Sequence, residues 1–111
     1  MSPRDVTLLS EIEQLVLLAV LKLPADDAYA VPIRALIRKD TGIDVPRGSI
    51  YVTLQRLESQ GLIGSAMTAP LAVQGGKARR VFSLRASGMS ALRSSTRAMN
   101  KMIAGTALAK R

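Results

Sequence analysis

The chain has 111 residues, enough for one domain with a modest core, and hydrophobic residues make up 48% of it. It contains neither cysteine nor histidine, which excludes disulfide frameworks, zinc fingers, thiol nucleophiles and imidazole acid–base catalysis. The net charge of +8 is unevenly distributed: residues 59–111 hold nine Lys/Arg and no acid, whereas all eight Asp/Glu lie in residues 1–58. A basic half without acids indicates a polyanionic partner, most simply nucleic acid.

The sequence gives little support for an enzymatic function or for a membrane-bound protein. The acids are scattered, and Asp26-Asp27 alone forms neither a metal site nor an acid–base pair. We therefore expect no catalytic residue, no metal site and no cofactor. The longest apolar run, residues 15–21, is too short to span a bilayer and is followed by Lys22. Acidic residues precede it, where a signal peptide carries basic ones, so we expect a cytoplasmic protein that does not bind membranes.

The first predicted helix begins at Ser10-Glu11-Ile12-Glu13 and ends before Pro24. The opening residues have the form of a capping box, with Ser10 as N-cap and Glu13 reaching back to it. Apolar side chains occupy nearly the whole circumference of this helix. A second subunit is the natural cover for its far side, because each Leu or Val left in water forgoes about 1.5–3 kcal/mol. A helix wrapped within one chain is the alternative.

A second helix is predicted from about residue 30, with Pro32 acceptable in its first turn and Thr41-Gly42 at its end. The linker of residues 43–47 is short, so helices two and three form a helix-turn-helix in outline. Helix three has an apolar stripe at i, i+4 and i+7 and is ended by Gly61, where a left-handed residue is needed. The stripe consists of Ile50, Leu54 and Leu57.

The polar face of helix three is predicted to carry Ser49, Thr53, Arg56 and Gln60. Short and hydrogen-bonding side chains are the types that contact base edges and phosphates. The first turn holds Arg47 and Ser49, where the helix dipole favours anions. An ordinary amphipathic surface helix is the alternative interpretation of the same pattern.

A hairpin is predicted after helix three. One strand runs from Leu62 to about Thr68, a loop with Gly75-Gly76 follows, and residues 79–85 return. Basic side chains lie at the tip, so the hairpin is a wing able to lie along a groove. These side chains are Lys77, Arg79 and Arg80.

The last helix is predicted from about Met89 to Ala104, after Ser87-Gly88, and is closed by Gly105. Apolar positions step by 3 and 4 along it, which is a short heptad seam that could pack on its own domain or on a second subunit. The seam is Met89, Leu92, Thr96, Met99 and Ile103, and Thr96 breaks its apolar character. Residues 106–111 are expected to form a disordered tail.

Over about residues 8–104 the chain resembles the PadR-type winged-helix transcriptional regulators. The resemblance is carried by the order and spacing of EQLVLLAVL (13–21), DAYAVPI (27–33), GSIYVTLQRLE (48–58), GLI (61–63), RRVFSL (79–84) and Gly88. Two positions depart from the family pattern. Pro46 stands at the N-cap of helix three, and Arg85-Ala86 replace the usual Thr-Pro before the last helix, so Ser87 is expected to cap it.

The resemblance implies a mainly α fold with a small β-hairpin. Residues 1–85 are expected to form a winged helix-turn-helix DNA-binding domain with its N-terminal helix, and residues 86–105 a C-terminal dimerisation helix. It also implies a homodimeric bacterial repressor that binds pseudo-palindromic double-stranded DNA through helix three and the wing. An unidentified small-molecule inducer is left open. A basic winged-helix RNA-binding or ribosome-associated protein is the alternative, although a dimer matches a palindromic duplex better than an RNA loop.

The residues expected to bind DNA lie on helix three and the wing. Among them, Tyr51 matches the helix-three tyrosine of the family, which is expected near a phosphate. The full set is Arg47, Ser49, Tyr51, Thr53, Gln55, Arg56, Lys77, Arg79 and Arg80. The dimer interface is expected to use Leu15, Leu17, Leu18, Leu21, Leu92, Met99 and Ile103.

Overall fold

The computed structural model of the chain describes residues 8–68 and 78–109. Four helices and a two-stranded antiparallel hairpin follow one another, which confirms the predicted mainly α fold with a small hairpin. The elements are α1 (Glu11–Lys22), a 3-10 turn (Ala25–Asp27), α2 (Ala30–Thr41), α3 (Arg47–Ser59), β1 (Ile63–Met67), β2 (Arg80–Leu84) and α4 (Ala86–Ile103). Within the described residues, no helix is long and apolar enough to cross a membrane.

Helix α1 begins with the predicted capping box. The Ser10 hydroxyl accepts a hydrogen bond from the Glu13 backbone N–H at 3.2 Å, and the Glu13 carboxylate accepts one from the Ser10 N–H at 2.8 Å. The helix packs against α2, α3, α4 and β2, so it lies at the centre of the domain. Its buried side includes Val16 and Leu17, whereas Leu18 remains exposed. One side of α1 is therefore covered by its own chain and the other is not.

The core is built almost entirely from aliphatic side chains, with Phe82 adding one ring from the hairpin. Every helix and both strands contribute to it. Its largest fully buried hydrophobic side chains come from α1, α2, α3 and β1, and they are Val16, Leu17, Ile33, Ile50, Leu54, Leu57 and Ile63.

The turn between α2 and α3 is held by side chains of α2. Gly42 ends α2 with φ of 77°. Arg34 then donates from Nε to the Val45 carbonyl at 2.6 Å and from Nη2 to the Asp44 carboxylate at 2.9 Å. Because both bonds span the linker, they fix the position from which α3 starts. Arg34 therefore braces the turn from the outer side of α2.

The hairpin is joined to the helices at both of its strands. Gly61, with φ of 76°, turns the chain out of α3 as predicted. The β1–β2 register pairs Ile63 with Leu84 and Met67 with Arg80. The Phe82 N–H donates to the Ala28 carbonyl at 2.8 Å, which ties β2 to the turn before α2. The predicted loop tip with Lys77 lies outside the described residues.

Helix α4 begins at Ala86, three residues before the predicted Met89. The expectation that Ser87 caps it is wrong, because Arg85 occupies the N-cap and the Ser87 hydroxyl donates to the Gly61 carbonyl at 2.6 Å. A Cβ on buried Gly88 would lie 2.1 Å from the Leu62 carbonyl oxygen. The start of α4 is thus set by close packing on the chain between α3 and β1, which no local signal reveals.

The chain after α4 forms turns up to Ala109, where a disordered tail was expected. Gly105 has φ of 83°. The Thr106 hydroxyl donates to the Ile103 carbonyl and accepts from the Leu108 N–H at 3.2 Å. The Thr106 hydroxyl thus supplements the backbone hydrogen bonds of these turns.

An ion pair on the surface joins α1 to α2. Lys22 Nζ lies 2.5 Å from Asp40 Oδ2, and this hydrogen bond holds the pKa of Asp40 below its ordinary value of 3.8. A depressed folded pKa adds stability above pH 3.8 that is lost as the pH falls through the folded value.

We expect Asp40→Asn to lower the melting temperature slightly at pH 7 and to leave it unchanged well below pH 3.8. Thermal melts across this range test it, and a constant difference would contradict it.

Candidate nucleic-acid interface

Helix α3 has one side in the core and the other in solvent. Its buried residues are Ile50, Thr53, Leu54 and Leu57, the complete i, i+3, i+4, i+7 stripe. The opposite side, here called the outward face of α3, is exposed along the whole helix. It carries Arg47, Gly48, Tyr51, Val52, Gln55, Arg56, Ser59 and Gln60.

Thr53 does not lie on that outward face, so its predicted position on the polar side is wrong. Its side chain is only 3% exposed. Thr53 follows Ile50 by three residues and precedes Leu57 by four, which places it on the core side of the helix. The i, i+3, i+4, i+7 spacing indicates that residue 53 is buried, but the polar hydroxyl of threonine suggested an exposed position. Ser49 is half-buried, and the other expected residues of α3 are exposed.

The N-terminal turn of α3 is basic and open. Pro46 occupies the N-cap without a side-chain hydrogen bond, and its carbonyl accepts from the N–H groups of Ser49 (3.0 Å) and Ile50 (3.2 Å). The first N–H groups of a helix have no intrahelical acceptor and carry a partial positive charge. Exposed Arg47 and Tyr51 flank this end of the helix. The turn therefore combines backbone donors with a full positive charge, which suits a phosphate.

The wing cations are held by their own chain. The Arg79 guanidinium carbon lies 4.8 Å from the ring centroid of Tyr29, a cation–π contact between the wing and the start of α2. Arg80 donates from Nη1 to the Ser65 hydroxyl at 2.9 Å, and that hydroxyl donates to the Glu58 carboxylate at 2.5 Å. These contacts orient Arg79 relative to α2 and Arg80 relative to α3.

The sequence did not indicate these wing contacts. Tyr29 lies fifty positions before Arg79, and Ser65 meets Arg80 only through the hairpin register. The structure thus links Arg80 to α3 through Ser65 and Glu58, and Arg79 to the start of α2 through Tyr29.

The expected interface residues separate into two groups. Leu17 is fully buried and Leu92 is only 4% exposed, so both belong to the core and present almost no surface to a second copy. The prediction that Leu17 and Leu92 lie at the dimer interface is therefore wrong. Leu18 is 38% exposed, and Leu21 and Met99 are also exposed. Leu15 and Ile103 are half-buried.

An open groove of about 650 Å³ runs between α1, the α2–α3 linker and α4. Apolar side chains dominate its lining, and three of them belong to the expected interface. The lining residues are Ser10, Glu11, Ile12, Gln14, Leu15, Leu18, Ile43, Val45 and Met99. No group of three or more His, Cys, Asp or Glu able to hold a metal occurs among the residues that the structure describes.

The chain matches the model of the "Transcriptional regulator PadR-like family" over residues 17–94. It belongs to the PadR-like family of transcriptional regulators. The match runs from the middle of α1 to the middle of α4, and so includes both the outward face of α3 and the wing. Among curated proteins, none matches this PadR-family chain in sequence.

Solved structures of the PadR family share the fold. A PadR family transcription regulator from Clostridium difficile has a TM-score of 0.69 and 25% identity, covering 85% of this chain and 95% of that chain. A PadR family transcriptional regulator from Eggerthella lenta has a TM-score of 0.65 and 27% identity, covering 86% and 81%. Bacillus subtilis PadR in complex with operator DNA has a TM-score of 0.58 and 19% identity, covering 76% and 46%. At that identity the last likeness concerns the fold alone.

Proposed function

We propose that this PadR-family regulator is a homodimeric, cytoplasmic repressor that binds pseudo-palindromic double-stranded DNA. Helix α3 lies in the major groove and the wing lies along the adjacent backbone. The observation that carries the proposal is the outward face of α3, which presents Arg47, Tyr51, Gln55 and Arg56 to solvent while the opposite side is sealed into the core. Membership of the PadR-like family, one member of which is Bacillus subtilis PadR in complex with operator DNA, supports DNA as the partner.

The chemistry of the outward face divides into base contacts and backbone contacts. Gln55 and Arg56 lie in the C-terminal half of the helix, and their side chains are those that bind adenine and guanine in bidentate fashion. Arg47, with the N–H groups of the first turn, contacts a phosphate. Arg79 and Arg80 on the wing contact the neighbouring backbone, which fixes register without carrying sequence information.

A second copy of the chain covers the apolar surface left open on α1. Leu18 and Leu21 are exposed on α1, and Met99 is exposed on α4 across the groove. Burying apolar surface contributes about 25 cal/mol for each Å² removed from water, so pairing these surfaces favours a dimer. Two copies related by a two-fold axis present two α3 helices to one duplex, as helix-turn-helix dimers do.

Repression follows from occupancy of the operator by this dimer. A bound protein blocks other proteins from the same stretch of duplex. An inducer is not required, since dilution of the protein also frees the operator. If a small-molecule inducer acts, it does so by binding the DNA-bound and free conformations with different affinity.

The substitutions Arg56→Ala and Arg47→Ala test the proposed division of roles. Each removes one exposed positive charge from α3. We expect Arg56→Ala to reduce discrimination at one base pair of each half-site by about 1–3 kcal/mol. Arg47→Ala is expected to weaken binding to all duplexes alike and to make the salt dependence less steep. Affinities for a set of single-base operator variants measure both effects. Equal, uniform losses for the two variants would remove Arg56 from base recognition.

A further inference from the structure

Val52 has no explanation in the fold of the single chain. It lies on the outward face of α3, with its side chain 53% exposed. Valine is a weaker helix former than alanine because its branched Cβ loses rotamer freedom. An exposed valine on a helix therefore contributes neither burial nor propensity. Its neighbours on the same face are Gln55 and Arg56, one turn later, so the apolar side chain is set among groups that the proposed function assigns to base contacts.

Gly48 lies one turn before Val52 and is equally unexplained. It has no positive φ, and a Cβ built on it has no other atom within 4 Å. Neither backbone conformation nor packing within the described chain requires a glycine there. Residues four apart lie on the same side of a helix, so Gly48 lies one turn N-terminal to Val52 on the outward face. The missing side chain leaves this side of Val52 open to another molecule.

We propose that Val52 is a specificity-determining residue whose methyl groups contact the 5-methyl group of a thymine in each half-site, with Gly48 allowing the close approach. This inference rests on the proposed function. The thymine methyl is the apolar group that the major groove presents, and apolar side chains contact it there. Arg47 and Arg56 place positive charge on either side of Val52 along α3, which complements the phosphates bordering such a groove.

Replacing thymine by deoxyuridine tests the contact, because this change removes the 5-methyl group alone. A high-affinity duplex is first selected with the wild-type protein from a random pool. Each thymine of that duplex is then replaced in turn, and dissociation constants are measured by fluorescence anisotropy for wild type and Val52→Ala. We expect one position in each half-site where wild type loses about fourfold in affinity, the factor that burial of one methyl-sized group represents. Val52→Ala is expected to lose nothing further there, while other thymines serve as internal controls.

The outcomes separate this inference from the proposed function. If no duplex is enriched by wild type, the proposed function fails and the inference fails with it. If a duplex is enriched but Val52→Ala responds to every deoxyuridine as wild type does, the proposed function stands and the inference is overturned. Thermal melting of Val52→Ala verifies that the variant is folded.

The substitution Gly48→Ala provides a second, independent readout. The space around Gly48 accommodates a methyl group, and alanine is the better helix former, so the melting temperature is expected to equal or exceed that of wild type. Binding to the selected duplex is nevertheless expected to weaken, since the added methyl group lies between α3 and the bases. Unchanged affinity for this duplex would overturn the close approach at Gly48.

Discussion

Replacing Gly88 with alanine is expected to lower the free energy of unfolding by about 3 kcal/mol, the upper part of the range for overpacked sites. The added Cβ would lie 2.1 Å from the Leu62 carbonyl oxygen and 3.4 Å from the Leu84 side chain. A backbone oxygen cannot move aside as the end of a flexible side chain can. Helix α4 must therefore shift away from the hairpin, and the improved helix propensity of alanine, about 1 kcal/mol, does not offset the loss.

Urea denaturation followed by circular dichroism measures this effect. Gly48→Ala is the matched control, since it makes the same change in another helix at a site where a Cβ meets no other atom within 4 Å. We expect the control to be as stable as wild type or more so. If the two alanine variants were equally stable, the close contact between α4 and Leu62 would be contradicted.

Replacing Leu18 with glutamate is expected to convert the dimer to a monomer and to weaken operator binding by at least a hundredfold, since loss of the second half-site removes avidity. Leu18 is partly exposed on α1, so glutamate can reach water in the monomer without entering its core. In the dimer the same carboxylate is taken out of water beside apolar side chains of the groove, where an unpaired charge is strongly unfavourable.

Light scattering coupled to size exclusion measures the mass. Val31→Glu is the control, because Val31 is an exposed valine on α2 that does not line the groove. It is expected to retain the dimer mass. A dimer that survives Leu18→Glu would remove this surface from the interface. Leu17 is unsuitable for the same test, because a glutamate at that fully buried position is expected to unfold the chain.

Local signals were sufficient for most helix boundaries. The Ser10 capping box, the left-handed Gly42 and the left-handed Gly61 each act within one turn of chain, so their roles are readable from the residues themselves. The start of α4 was not readable in this way. It depends on Gly88 meeting the Leu62 carbonyl, a contact between segments that are separated in sequence.

The location of the candidate site could be predicted from the sequence. Which of its side chains are exposed and which are buried was harder to predict. Arg47, Gln55 and Arg56 are exposed on α3 as expected, because their charge or polarity matches their position opposite the stripe. Thr53 is small enough for the core, and its hydroxyl gave a false indication of exposure. Helix propensity and side-chain polarity alone could not distinguish the buried Thr53 from the exposed polar residues of α3.

On α1 and on the wing, too, the sequence did not show which side chains are buried or which residues they contact. Leu17 and Leu18 have the same side chain, and only the packing of the other helices decides that one is buried and the other exposed. The contact of Arg79 with Tyr29 depends on where the hairpin returns, which the sequence pattern does not specify.

The central claim is that two α3 helices of one dimer enter successive major grooves of a duplex. Selection of bound sequences from a random duplex pool tests this claim most directly. The proposal predicts two inverted half-sites with centres about 10 base pairs apart. It also predicts that log K falls with log salt with a slope of about −5 to −9, from six to ten neutralised phosphates. A single asymmetric site, no enriched duplex, or a slope near zero would contradict it.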